Sequence, residues 1–267
     1  MGGMVNCGRL SRAVCLVCLL ILSTGLCVAG DTVIATATVA PRVAIIIDDL
    51  GNERAAGIRT AELFGPVVCA ILPHTPFADV IARRAHSHGK EVMLHLPLQP
   101  IENEWLTGMG TIDIDSTRDQ MRRILASNLG SIPHLNGVNT HMGSLLTRHP
   151  GHMRWLMSEL KARGNLFFVD SYTTAASVAL QMAREEKIPA VRRHVFLDNE
   201  ARGQSIDAEF QRLKKLARKN GYAVAIGHPH AETLDYLESA LPQLEQEGFE
   251  LVGVGALVNI SSGGSSL

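Results

Sequence analysis

Val43-Ala44-Ile45-Ile46-Ile47-Asp48-Asp49 is an apolar run closed by two acids, and four later runs in the chain are built to the same plan. Glu91-Val92-Met93-Leu94 leads into His95, and Gly137-Val138-Asn139-Thr140 into His141. Leu166-Phe167-Phe168-Val169 leads into Asp170, and Tyr222-Ala223-Val224-Ala225-Ile226-Gly227 into His228. Each run has the composition of a strand and places a His or Asp where the strand stops. In parallel α/β folds the carboxyl ends of the strands share one face, so these polar termini are expected to gather around one cleft.

Working outward, apolar β-type runs alternate with amphipathic stretches to the end of the chain. Strands are expected at 43–48, 67–72, 91–96, 136–141, 166–170, 190–197, 222–227 and 249–254. Helices are expected near 77–88, 117–129, 151–163, 174–186, 204–219 and 232–247, the last interrupted at Pro242. The clearest is 204–219, where Ile206, Phe210, Leu213 and Ala217 recur on one face before an Asn220-Gly221 stop. Seven or eight strands with intervening helices fit either a closed or partly closed barrel or an open doubly wound sheet, and strict alternation in one domain favours the barrel. The irregular segment from Leu98 to Asp115 is long enough to be a functional loop on the site face.

Composition bounds the rest. Arg9 and Arg12 precede an apolar stretch from Ala13 to Leu22, and small residues follow at Cys27-Val28-Ala29-Gly30. That is the layout of a secretory signal over 1–30, with an uncleaved membrane anchor as the competing reading. Residues 31–41 read as a linker, 42–260 as the one folded domain, and the Ser/Gly-rich 261–267 as a disordered tail. Of the five cysteines only Cys69 lies beyond the signal, and its apolar neighbours mark it as a buried inert thiol. A net charge of -1 with 19% charged residues leaves no electrostatic footprint for nucleic acid or for an anionic membrane surface. Membrane contact is thus expected only through the N-terminal segment if it stays attached.

Adjacent carboxylates at a buried strand end repel one another unless a cation or proton intervenes. A divalent metal on one of them relieves the repulsion and leaves the other as a base, while helix capping can be left to Asn52. Taken singly, His95 and His141 each fit a core histidine bonded to backbone. Taken with the acidic pair, they supply the nitrogen and oxygen donors of a catalytic zinc that keeps a position for water. In Gly227-His228-Pro229-His230, His228 has the intrinsic pKa to protonate a leaving group near neutrality. His230 either takes that role or begins the last helix. Asp170, before Ser171-Tyr172-Thr173-Thr174, reads equally as a group that orients a histidine or binds substrate hydroxyls and as the N-cap of a helix at 174. Asp198 in Asp198-Asn199-Glu200 is a similar but lesser candidate. Among the remaining histidines His74, in Leu72-Pro73-His74-Thr75-Pro76, stands out. No glycine-rich phosphate loop follows the first strand and no Gly-x-Ser-x-Gly elbow occurs, which argues against nucleotide binding and serine hydrolysis.

These segments resemble the divergent polysaccharide deacetylases, an outlying branch of the NodB-type carbohydrate esterases. The resemblance covers nearly all of 41–260. It is carried by Ile47-Asp48-Asp49-Leu50-Gly51, Ala70-Ile71-Leu72-Pro73-His74-Thr75-Pro76, Gly89-Lys90-Glu91-Val92-Met93-Leu94-His95-Leu96-Pro97, Asn139-Thr140-His141-Met142-Gly143-Ser144, Phe168-Val169-Asp170-Ser171 and Ala225-Ile226-Gly227-His228-Pro229-His230. It implies a distorted (β/α) barrel, one divalent metal with zinc as first choice, and an exported hydrolase that removes N-acetyl groups from an amino-sugar glycan of the envelope. Carried over by position, Asp48 is the general base, Asp49 and His95 are metal ligands, and His228 is the general acid. The classical branch has a second ligand histidine four residues after the first; here that place is Gln99, and His141 is the expected substitute. The classical Arg-Pro-Tyr motif has no clear match. Asp170, His230, His74 and Gln99 remain as weaker candidates for binding or orienting substrate. Gln99 and the missing motif also keep open a catalytically silent envelope protein that uses the barrel to bind glycan or a protein partner.

Overall fold

The computed structural model describes residues 39–263, apart from 104 and 106. The expected export signal and most of the linker lie outside the described residues. Nine strands are parallel: β1 (Arg42–Leu50), β2 (Val68–Ile71), β3 (Val92–Leu98), β4 (Leu135–Met142), β5 (Phe167–Asp170), β6 (Ala190–Arg192), β7 (Val195–Phe196), β8 (Tyr222–Gly227) and β9 (Glu250–Leu251). Their spatial order is β6-β5-β4-β3-β2-β1-β8-β7, with the short β9 also paired to β1.

Among the described residues, eight helices accompany them: α1 (Arg54–Glu62), α2 (Ala78–Ser87), α3 (Arg118–Gly130), α4 (Pro150–Arg163), α5 (Ala179–Glu185), α6 (Gly203–Asn220), α7 (Ala231–Ala240) and α8 (Val254–Gly263). Among the described residues no helix is long and apolar enough to cross a membrane. Pro242 does interrupt the last expected helix, which passes into a 3₁₀ turn at Leu241–Gln243. The helix expected from 174 begins only at Ala179, because the residues before it are drawn into side-chain bonds with Asp170. Helix α8 runs through Gly263, three residues into the segment that composition assigned to a disordered tail; 264–267 lie outside the described residues.

The run 190–197 is not one strand. It divides into β6, paired to β5, and β7, paired to β8, which stand at opposite ends of the strand order. Only Arg193 and His194 separate them. Three Cα steps span at most about 11 Å, so the two edges of the sheet are held that close and the sheet curls into a barrel. The seam is closed by the chain itself rather than by a β6–β7 ladder. His194 fixes it by exchanging two bonds with Val224: its N–H donates to the Val224 carbonyl at 2.8 Å, and its Nδ1 accepts the Val224 N–H at 3.1 Å.

Strand alternation sorts the core into two sets. Val43, Ile45, Ile47, Cys69, Leu94 and Val138 pack outward among the helices. Ala44, Ile46, Met93, Val169, Val224 and Ile226 fill the barrel interior, which α8 plugs from the amino end with Val254, Leu257 and Val258. Cys69 belongs to the outward set, and burial pushes its thiol up to about 12, so it is inert as expected.

Candidate metal centre and flanking acids and bases

The same alternation aims the site. Asp48 follows Ile46, His95 follows Met93, and His228 follows Ile226 at intervals of two, so all three point into the barrel mouth at the carboxyl ends of their strands. His141 follows Asn139 on β4 in the same way, in a register that sets Asn139 beside His95 and His141 beside Pro97. Asp49 should face away from Asp48. It does not, because its backbone is left-handed (φ 56°) and the β1–β2 register shifts between Ile47 and Leu50. That bulge turns both acids toward one centre.

Three donor atoms meet there. Asp49 Oδ1 lies 3.1 Å from His95 Nε2 and 3.0 Å from His141 Nδ1. The two imidazole nitrogens are themselves 3.0 Å apart. Donors held about 2.0–2.1 Å from a tetrahedral zinc would be about 3.3 Å from one another, so the triad is near that size. Asp49 Oδ1 is buried and lies within 3.1 Å of both ring nitrogens. A buried carboxylate oxygen facing two imidazole nitrogens at this range is a donor set suited to a borderline divalent cation. Burial alone would raise the Asp49 carboxyl, yet the His141 and His95 rings outweigh it and hold it ionised, far below the usual carboxylate range.

The outer contacts orient the His95 ring. Asn139 Nδ2 donates to Asp48 Oδ1 at 2.7 Å, which turns its carbonyl oxygen toward His95 Nδ1, 2.8 Å away. Burial lowers the His95 pKa, but Asp48 and Asp49 push it up to about 9; its Nδ1 proton is held by Asn139, and Nε2 is the nitrogen that faces Asp49 and would turn to an ion. Asp48 is almost wholly buried, 3% exposed, and burial raises its carboxyl above the ordinary value against the pull of His95 and His228. On the opposite flank, His228 Nε2 sits 3.8 Å from Asp49 Oδ2. Its Nδ1 is bonded to Asp198 Oδ1 at 2.9 Å, and its backbone N–H donates to Asp198 Oδ2 at 2.6 Å. Thr233 Oγ1 donates to Asp198 Oδ2 as well, at 2.8 Å. Burial lowers the His228 pKa, but Asp198, Asp48 and Asp49 together raise it above its ordinary value.

The weaker candidates take other places. Asp170 is outward-facing, one residue out of phase with Val169, and wholly buried. Its carboxylate accepts the Tyr172 N–H at 2.9 Å and the Ser177 hydroxyl at 3.1 Å, so it caps no helix at 174. Gln99 Oε1 accepts the Ile114 N–H at 2.8 Å, and its carbonyl receives the N–H groups of Leu145 and Leu146. It fastens the long loop to β3, while His141 stands beside Asp49 and His95 from the neighbouring strand as a candidate ligand. His74 Nε2 bonds Asn128 Oδ1 at 3.0 Å, and Asn128 Nδ2 donates to the Gly110 carbonyl, which braces the same loop. His230 is exposed, its ring 5.8 Å from that of His228, on the rim of a 250 Å³ pocket that also touches Asp49 and Gly51.

Three residues of this centre carried no assigned role or a minor one in the sequence reading. Asn139 is marked in the sequence by its place two residues before a strand-end histidine. Asp198 ranked low because its partner His228 is thirty positions away and only the β7–β8 pairing joins them. Arg193 had no signal at all. Its guanidinium donates to the carbonyls of Ser171 and Tyr172 at 2.6 and 2.9 Å, and Asp48 and Asp170 are the carboxylates that act on it.

The sequence profile described as divergent polysaccharide deacetylase matches residues 45–258. The chain belongs to that family. Within the divergent polysaccharide deacetylases it is similar to the uncharacterized protein YibQ of Escherichia coli K12, 33% identical over 226 residues that cover 85% of this chain and 70% of that one. Among solved structures it resembles the uncharacterized protein ATU2773 from Agrobacterium tumefaciens C58, with a TM-score of 0.79 at 23% identity over 83% of this chain and 91% of that one. The D285S mutant of the peptidoglycan deacetylase PdaC from Bacillus subtilis has a TM-score of 0.52 at 11% identity over 84% of this chain and 92% of that one. These likenesses establish a curled deacetylase-type barrel.

Proposed function

We propose that this chain is an exported, zinc-dependent deacetylase that hydrolyses the N-acetyl group of an amino sugar in an envelope glycan. The observation that carries the reading is the convergent triad Asp49, His95 and His141 with Asp48 on one flank and His228 on the other. The signal-like N-terminus supports export, and the family supports a glycan substrate. Peptidoglycan, named for the Bacillus neighbour, is the first envelope glycan to try.

Asp49, His95 and His141 would hold the ion, which when bound supplies Lewis acidity toward the acetamide carbonyl and makes a water easier to deprotonate. Asp48 takes the water proton. Its Oδ1 is engaged by Asn139, and burial raises its carboxyl, which makes it a stronger base than a free carboxylate. His228, held at Nδ1 by Asp198, keeps Nε2 directed at the centre and gives its proton to the departing nitrogen. Water adds to the carbonyl carbon, the carbon–nitrogen bond breaks, and acetate leaves with a free amino sugar.

Metal content of the purified chain and acetate release from peptidoglycan and chitin oligomers test this reading. Bound zinc near one equivalent and acetate release that Asp48→Asn lowers at least about a hundredfold would agree with it. No release from any N-acetylated glycan by the zinc-loaded chain would overturn it and leave a glycan- or partner-binding barrel.

A further inference from the structure

A cavity of 670 Å³ lies against the seam of the barrel, bounded by the turn after β5, the β6–β7 link and the first half of α6. It is distinct from the metal centre yet shares a wall with the acid that serves it. Phe196 lines it, with its ring 5.1 Å from that of His228, and Leu197 and Asn199, on either side of Asp198, line it too. The volume lies in the range of about 300–1,000 Å³ typical of small-molecule sites.

The wall at Tyr172 is built at a cost. Tyr172 has a left-handed backbone (φ 53°), a strained conformation for a bulky residue. Four contacts hold it there. Its N–H is bound by the wholly buried Asp170 carboxylate, and the two carbonyls of the turn are held by Arg193. Arg192 stacks over one face of its ring at 4.0 Å and reaches Asp170 with Nε at 3.4 Å. Asp170, expected either to orient a histidine or bind substrate hydroxyls or to cap a helix, thus serves this wall.

The lining has the chemistry of a sugar subsite. Tyr172 and Phe196 supply aromatic surface, and Asn199, Glu200, Ser205 and Arg212 supply hydroxyl and amide partners. Its charges balance: Arg193 and Arg212 stand against Glu200 and Glu209, with Arg212 paired to Glu209 at 3.0 Å. A balanced lining suits a neutral, hydroxyl-rich ring better than an acidic one. Position gives the direction. With His228 as the group that protonates the departing nitrogen, which stays on the sugar, the glycan would continue on the His228 side, and this cavity reaches that side through Phe196.

We propose that the seam cavity binds the neutral sugar ring next to the amino sugar being deacetylated, with Tyr172 as its stacking surface. The direction of the glycan rests on the deacetylase reading. Calorimetric titration with chitotetraose and with single N-acetylglucosamine, in an Asp48→Asn background that keeps the glycan intact, tests the proposal. Tyr172→Ala and Arg212→Ala are each expected to weaken chitotetraose binding about tenfold and leave the single sugar unchanged, while Tyr172→Phe retains affinity. Arg212→Ala removes only an exposed ion pair, so it probes the cavity without disturbing the strained turn. Unchanged chitotetraose affinity in both alanine variants, or no binding of chitotetraose at all, would overturn the subsite. Acetate release by the Asp48 chain separates the two readings. Cavity-dependent binding without release removes the deacetylase reading and keeps the subsite; release whose KM for chitotetraose ignores Tyr172→Ala does the reverse.

Discussion

Asn139 stands between Asp48 and His95, giving its amide N–H to the acid at 2.7 Å and its carbonyl oxygen to the imidazole Nδ1 at 2.8 Å. One side chain thereby fixes both the proposed base and a candidate metal ligand. Asn139→Ala is expected to weaken zinc binding about 10–100-fold, the usual scale for an outer-shell partner of a ligating histidine. Zinc titration against a competing chelator measures it; wild-type affinity in the variant would leave Asn139 a packing residue only.

The ligand place left by Gln99 is expected to stay vacant even when the classical residue is restored. Gln99→His should leave zinc affinity within about twofold, because His141 already completes the triad from β4, whereas His141→Ala should cost at least about tenfold. Gln99→His is also expected to lower the melting temperature slightly, since the Ile114 N–H loses its acceptor. A marked gain in zinc affinity for Gln99→His would reverse the ligand assignment.

Asp198→Asn tests the acid. Asp198 is one of the groups that raise the His228 pKa, and the acid works only while protonated, so activity is lost as pH rises through that value. Removing the carboxylate lowers the value, and the alkaline limb of the pH–rate profile for acetate release should move to lower pH. A profile that falls in height with no movement of the limb would mean that Asp198 only positions the ring.

The seam gives a separate pH dependence, in stability. His194 accepts the Val224 N–H at Nδ1, which requires a neutral ring, and burial followed by the charge of Arg192 depresses its pKa below 6.5. The unfolded chain binds the proton more readily. The stabilisation is therefore fully present above the unfolded value and is lost as pH falls through the depressed folded value. The slope is at most about 1.4 kcal/mol per pH unit, and less here because the ring is partly exposed. Urea unfolding between pH 7.5 and 5 should show a decline that His194→Gln flattens; parallel curves for the two proteins would exclude His194 as its source.

Much of this was legible in the sequence because strand ends are local. The runs into Asp48, His95, His141 and His228 announce themselves by apolar composition and a polar stop, and parallel strands bring such stops together without further information. What escaped depends on geometry that a run of letters does not carry. Asp170 has the same local signature as His95, but it falls on the other parity of its strand and faces the helices. The run 190–197 has ordinary strand composition throughout, yet its two halves join opposite edges of a curled sheet, and only curvature decides that. Asp49 needed a left-handed residue to share a side with Asp48, which composition does not signal for an Asp.

The placement of β1 in mid-sheet sets an order on the birth of this molecule. Its one edge is covered by β2, which follows at once, but the other waits for β8, which begins only at Tyr222. On a growing chain, the strand that bears the acidic pair thus keeps an open ladder of N–H and C=O groups until α6 has emerged and β8 follows it, a state prone to wrong pairing. Asp198 and His228 arrive in the same late segment. A chain that stops before β8 therefore lacks His228 and leaves β1, the strand of Asp48 and Asp49, open on one side.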